Sequence, residues 1–278
     1  MLTKVWMDLM APKLISYGGG VQSTALLVLA AQGIIDFQYA IFANVGDDSE
    51  HPASLEYVRN IAKPFADKHG IELIELQRTD RHGIPTETIH QRLVNMEHRS
   101  VGIPVRMSNG APGNRTCTSE YKIKVVAKWV RSMGATKNDP AIVAIGISTD
   151  EMQRANNRQP IAYETVQYPL LDLGISRSRC KTIIADAGLP VPPKSSCYFC
   201  PFHRVNTWRE MRRDEPELFE KSVDLERKIN EKRTMLGMDH VWLSDRLRPL
   251  DEAITEAQEP LEFQESGPEG CDEGYCWT

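Results

Sequence analysis

Two short stretches of this 278-residue chain carry residue types suited to chemistry. The first, LISYGGGVQSTALLVLAAQG (14–33), sets three consecutive glycines between an apolar run and an Ala/Leu-rich helix. Three glycines in a row cost backbone entropy, and they remove every Cβ just where a strand hands over to a helix. A helix N-terminus offers unpaired N–H groups and a partial positive charge, so Tyr17, Gly18, Gly19, Gly20, Gln22 and Ser23 read as a cradle for phosphate. The loop is neither Gly-Lys-Ser/Thr-closed nor G-x-G-x-x-G, and a tight turn without a ligand is the competing reading. The second stretch, SSCYFCPF, holds Cys197 and Cys200 as C-x-x-C. Two thiolates on one turn suit zinc or an iron–sulfur cluster.

Charged residues fall near both stretches. Arg115, Lys122, Arg154 and Arg158 offer cations for phosphate or sulfate, Arg as a planar fork and Lys as a point charge. Solvated surface charge is the alternative for each. Asp150 and Glu151 follow the apolar run AIVAIGI, at the carboxyl end of a buried strand, where ligands of open α/β sheets bind. There they suit Mg²⁺, a cation or a helix cap. Asn44, Gly46 and Glu50 follow another strand in the same way.

The elements that must position these groups follow from pattern. Strands are expected at 13–17, 37–43, 71–76 and 141–147, with helices at 23–32, 52–69, 119–133 and 176–187. That alternation predicts a Rossmann-like three-layer α/β fold on a parallel sheet. A polar excursion over 78–116 holds one short helix near 87–97, and 148–164 reads as a polar loop. Residues 206–233 read as helical with a break at Pro216. The expected organisation is a nucleotide-binding α/β domain over 11–175 and a smaller, mainly helical region over 176–278 carrying the C-x-x-C and an acidic tail.

Composition narrows the class. Hydrophobic residues make up 41% and charged residues 26%, as in globular proteins. No apolar run approaches a membrane span, and the first residues lack a signal-peptide pattern, so a cytoplasmic address without membrane is expected. The net charge is −5, but 251–278 holds nine acids and no Lys or Arg, leaving 29 acids against 33 basic residues elsewhere. A mildly basic body suits an anionic ligand. Six cysteines (117, 180, 197, 200, 271 and 276) in such a compartment favour metal or redox use over disulfides. The basic stretches 99–131 and 177–181 suit either a nucleotide or a nucleic acid.

The motifs together resemble the PP-loop adenine nucleotide alpha-hydrolase superfamily, and within it the phosphoadenosine phosphosulfate (PAPS) reductase-like family. GGGVQS resembles the loop pattern S-G-G-x-D-S, matching at Gly19, Gly20 and Ser23. FANVGDDSEHPAS, NRTCTSEYKIK, AIGISTDEMQRANNR, YPLLDLGIS and SSCYFCPF are similar to the family's later segments, in order, over about residues 13–210. The resemblance implies a HUP-type sheet and an adenine nucleotide (PAPS, APS or ATP) on the loop. Gln22 stands where ATP-cleaving branches place Asp, which leans towards the sulfonucleotide branch. Asn44 likewise replaces a family Asp.

The resemblance also implies roles for the cysteines. Cys117 falls in the cluster-bearing segment and the C-x-x-C completes it, giving a [4Fe–4S] cluster. Thr116 stands where those reductases have a further Cys. Cys180 is the nearest substitute, one helix and a turn before the C-x-x-C. A three-cysteine cluster with an open iron, as in related sulfur-transfer enzymes, and a Cys₃His zinc site using His203 are the alternatives. Arg115 and Lys122 would be catalytic cations. Cys276 would be the tail thiol that attacks sulfate sulfur and is resolved by a thioredoxin-like reductant; its acidic neighbours raise a thiol pKa, and a packing or ligand role competes. The implied activity is that of a sulfonucleotide reductase-like oxidoreductase. The alternatives are an ATP-dependent sulfurtransferase or adenylating enzyme acting on tRNA or DNA, and a nucleotide-binding module without turnover.

Overall fold

A computed structural model describes residues 11–157 and 161–255. Arg158, Cys271 and Cys276 lie outside the described residues. Five strands, β1 (Lys13–Ser16), β2 (Tyr39–Ala43), β3 (Glu72–Leu76), β4 (Ala141–Ala144) and β5 (Glu164–Gln167), form one all-parallel sheet in the order β3-β2-β1-β4-β5. The main helices are α1 (Val21–Ala31), α2 (Pro52–Tyr57), α3 (Lys63–Lys68), α4 (Ile89–Val94), α5 (Lys124–Ser132), α6 (Arg177–Asp186), α7 (Val205–Asp214) and α8 (Pro216–Met235).

Strand alternation builds three layers. Ile15, Ala40, Phe42 and Ala144 face one side and pack on α1, α6 and the α2–α3 run. Leu14, Ile41 and Val143 face the other and pack on Val126 and Val130 of α5. Period-two side chains force this division once the strands are covered on both faces. α1 is buried from Val21 through Leu29, as an apolar helix wedged between sheet and α6 must be. The fold is thus a Rossmann-like three-layer α/β structure.

Some boundaries move. The expected helix 119–133 contains a π-helical turn at Ser119–Ile123 before α5, and 52–69 contains another at Val58–Ala62 between α2 and α3. The region read as the polar loop 148–164 holds a 3₁₀ run, Thr149–Asn157, and the edge strand β5. Packing also crosses the expected boundary at 175. α6 closes over α1 in the first core. Conversely, Ile89, Leu93, Val101, Ile103 and Val105 of the excursion join Trp208, Phe219, Leu225 and Ile229 of the C-terminal helices in a second core.

Candidate functional site

In this sheet the strand order reverses between β1 and β4. The carboxyl ends of two strands diverge at such a point and leave a crevice. The glycine loop leaves β1 there, and residues 145–151 leave β4 beside it. A Cβ on Gly146 would stand 3.0 Å from the Gln22 backbone and Ser23 N, so only glycine lets the β4 loop come this close to the start of α1.

The three loop glycines differ. Gly19 has φ of 78° and packs under Val58, Phe42 and Ser195. Gly20 is the N-cap of α1 and supplies no side-chain cap, and the first turn holds no acid. Gly18 is half-exposed, and a Cβ there would meet nothing within 4 Å. The open space therefore lies over Gly18, next to an uncapped helix start. Ser23 Oγ donates to Gly20 O at 3.1 Å. Tyr17 corrects the expectation. Its N–H donates to Ile41 O, and its hydroxyl pairs with Thr24 Oγ1 at 3.0 Å inside the core, so neither faces a ligand. Burial pushes its phenol well above the ordinary range.

Gln22 is a buried hub. Its Oε1 accepts from Arg177 Nη1 at 2.8 Å and its Nε2 donates to Glu151 Oε2 at 3.3 Å. Arg154, also buried, donates to the same Glu151 oxygen at 2.6 Å. Asp150 accepts from the Arg177 backbone N–H at 2.5 Å and from Ser148 Oγ at 3.3 Å, so it serves as a cap for α6. The crevice thus has two guanidinium groups, Arg154 and Arg177, held by a neutral amide and one carboxylate. The sequence marks Arg177 only as the first residue of the basic stretch 177–181. Its signal was its place in the first turn of a helix capped by Ser176, where the dipole disfavours a cation unless something else holds it.

The β2 loop is a second hub. Asn44 Nδ2 donates to Asp47 Oδ1 and to Glu75 Oε1, both at 2.7 Å, while its Oδ1 accepts from Gly46 N at 2.8 Å. Arg59 bridges the two carboxylates at 2.6–3.0 Å and holds both below the usual carboxylate range. A neutral Asn fits between two acids where Asp would add a third charge. Gly46 has φ of 125°, and a Cβ would collide with Thr88 at 2.5 Å.

The cysteine loop is stitched to this region by backbone. Glu50 and Cys197 form an antiparallel bridge, His51 N donates to Ser196 O, and Tyr198 N donates to Ser49 O. Ser195 Oγ donates to Gly18 O, tying the thiol loop to the glycine loop. Cys117, at the start of the run leading into α5, lies within electrostatic reach of Cys197 and Cys200. Burial raises all three thiols, Cys197 far above the ordinary range and Cys200 to about 11, and the buried Lys122 pulls each down. Arg115 stacks on Phe202 at 5.1 Å and also lowers Cys117. Glu50 is 1% exposed, lies against Cys197 rather than over the open loop, and is raised by burial; its Oε1 has no hydrogen-bond partner.

Cys180 does not join them. It sits in α6, fully buried in the first core among residues of α1, and its charged neighbours are Arg177, Asp150 and Glu151. Burial raises it to about 12. The groups around Cys197, namely Glu50, Lys122, Cys200 and Cys117, are not those around Cys180. His203 is close to that loop but engaged otherwise. Its Nε2 bonds the Cys197 carbonyl at 3.0 Å, its ring meets Trp208 edge-on, and burial lowers its pKa to about 3. Cys117, Cys197 and Cys200, the other thiols among the described residues, suit a soft metal or an iron–sulfur cluster by donor type. Among the described residues, however, no three His, Cys, Asp or Glu groups stand in a metal-holding arrangement.

No protein-family model matches the chain, and no curated protein matches it. No helix among the described residues is long and apolar enough to cross a membrane.

Proposed function

We propose that this chain is a PP-loop enzyme with a HUP-type sheet that binds an adenine sulfonucleotide, PAPS or APS, and reduces its sulfate sulfur. The observation that carries the reading is the open space over Gly18, flanked by the uncapped start of α1 and tied by Ser195 to the loop bearing Cys197 and Cys200, with Cys117 within electrostatic reach of both. Phosphate oxygens would accept from the first N–H groups of α1, and Arg154 and Arg177 would neutralise charge deeper in the crevice. Gln22 supports a sulfonucleotide over Mg²⁺-ATP, because its amide oxygen is taken by Arg177. Lys122 and Arg115 would face the sulfate end, nearest the thiols. Cys276 would attack the sulfur and expel the nucleotide, leaving a thiosulfonate that a thioredoxin-like dithiol resolves to sulfite. Cys117, Cys197 and Cys200 would hold an iron–sulfur cluster, with zinc as the alternative; such a cluster would supply electron transfer, or sulfur handling at an open iron, when bound.

One observation favours a second reading, ATP-dependent sulfur transfer to a nucleic acid. Setting Cys180 apart leaves three thiols among the described residues, the number that leaves a cluster iron open. The deciding experiment incubates anaerobically purified protein with PAPS, APS or ATP. Sulfite release with thioredoxin, lost in Cys276→Ser, supports the first reading. AMP or pyrophosphate formed from ATP only with nucleic acid present supports the second. Binding of nucleotide without either reaction overturns both and leaves a non-catalytic module.

A further inference from the structure

A groove of about 570 Å³ lies between the end of β3 and helix α5. Its floor is apolar, formed by Leu76, Val125, Ala127 and the half-buried Trp129, which meets Tyr39 edge-on at 5.2 Å. Its rim carries Arg78, Lys124, Lys128 and Arg131 against one acid, Glu120. The bias extends along the chain. From Arg99 to Asn138 there are eight Lys or Arg and a single acid, in a protein whose net charge is −5.

The cations are arranged, not scattered. Lys128 Nζ donates to Thr79 Oγ1 and Asp80 O, both at 2.6 Å, and so clamps the loop after β3 to α5. Arg78 lies over the Tyr121 ring at 5.2 Å and Arg131 over Tyr163 at 5.7 Å. Lys124 is 66% exposed and pairs with Glu120, the one acid of the rim, at 2.5 Å. α5 continues directly from the turn that bears Lys122, so the groove and that lysine share one helical run.

We infer that this groove binds an unpaired stretch of RNA. A concave cleft with an apolar floor accepts a splayed base, and a cationic rim tracks the backbone, which is how single strands are held. A duplex is read by an element that protrudes into its groove, and this surface is recessed. On the rim the exposed Gln77 supplies an amide for the ribose 2′-hydroxyl, while the Thr79 and Ser132 hydroxyls are engaged by Lys128 and the Trp129 carbonyl. A role for the bound RNA as sulfur acceptor rests on the second reading above; its binding rests on the groove alone.

The test measures anisotropy of labelled oligo(U) and oligo(dT), each about 12 nucleotides long, with the full chain and no nucleotide present. Oligo(U) is expected to bind more tightly than oligo(dT) or a duplex. The double variant Lys124→Glu/Arg131→Glu should weaken it at least about tenfold and flatten the salt slope by about 1.4, two contacts at the single-strand value. Lys221→Glu/Lys228→Glu, on the acidic cavity beside Glu217, should leave oligo(U) affinity unchanged. Circular dichroism checks that each variant folds, with Gln77→Ala as a milder rim change should the double variant fail. Equal binding by wild type and the α5 variant overturns the site. Equal or tighter binding of oligo(dT) or duplex overturns its assignment to RNA. Because nucleotide binding is not needed, failure here leaves the Gly18 reading standing, and failure there leaves this one standing.

Discussion

Gly18 and Gly19 lack side chains for opposite reasons, and a methyl group separates them. At Gly19 the protein itself demands glycine: φ is 78° and a Cβ would press on Val58 at 3.2 Å. Gly19→Ala should cost about 1–3 kcal/mol of stability, read as a lower urea midpoint. At Gly18 the protein leaves a Cβ untouched, so Gly18→Ala should keep the midpoint. It should nevertheless weaken PAPS or ATP binding about tenfold in calorimetry, the value of one displaced backbone hydrogen bond. Unchanged affinity in Gly18→Ala would mean that the open space is not a phosphate site. The sequence points to the glycine loop but not to this division of labour, which depends on what packs beneath it. Gly146 and Arg59 are equally hidden, and Arg177 shows only as part of a basic stretch, because each acts through a partner more than ten residues away.

At the scale of elements, helix packing decides which thiols can meet. α6 lies on α1, and that alone removes Cys180 from the cluster despite its short distance in sequence from the C-x-x-C. Cys180→Ser should therefore cost about 1–3 kcal/mol by burying a hydroxyl, and on the proposal that Cys117, Cys197 and Cys200 hold a metal it should leave metal content unchanged. Cys117→Ser, Cys197→Ser and Cys200→Ser should each lose it. Elemental analysis of anaerobic preparations, with a visible band at about 400 nm for iron–sulfur, reads the difference. Iron or zinc lost in Cys180→Ser would overturn this grouping. The central strands are legible in sequence because they are buried on both faces and read as apolar runs. β5, with the sequence ETVQ and one face exposed, lies at the sheet edge and reads as loop. The π-turn at Ser119–Ile123 escaped as well, since a widened turn keeps helical composition; it lies where Lys122 is turned inward.

Across the whole molecule, the second core fixes the excursion and the C-terminal helices to one another, and one ionisable group sits inside it. Glu226 on α8 is 4% exposed and accepts from Leu243 N at 2.6 Å and Leu250 N at 2.8 Å, joining α8 to the segment that follows it. Burial raises its carboxyl to about 7 from an ordinary 4.5, against the pull of those two N–H donors. A pKa higher in the folded state means that folding takes up a proton between these values. The group's stabilisation is therefore full below pH 4.5 and is lost as pH rises through 7. The span corresponds to on the order of 3 kcal/mol. Urea unfolding should show lower stability at pH 8 than at pH 5 from this source. Glu226→Gln cannot ionise, so it should flatten that slope. Its single carbonyl oxygen cannot replace both acceptor oxygens, so it should also be less stable than wild type at pH 5. An unchanged slope in Glu226→Gln would place the pH dependence elsewhere in the fold.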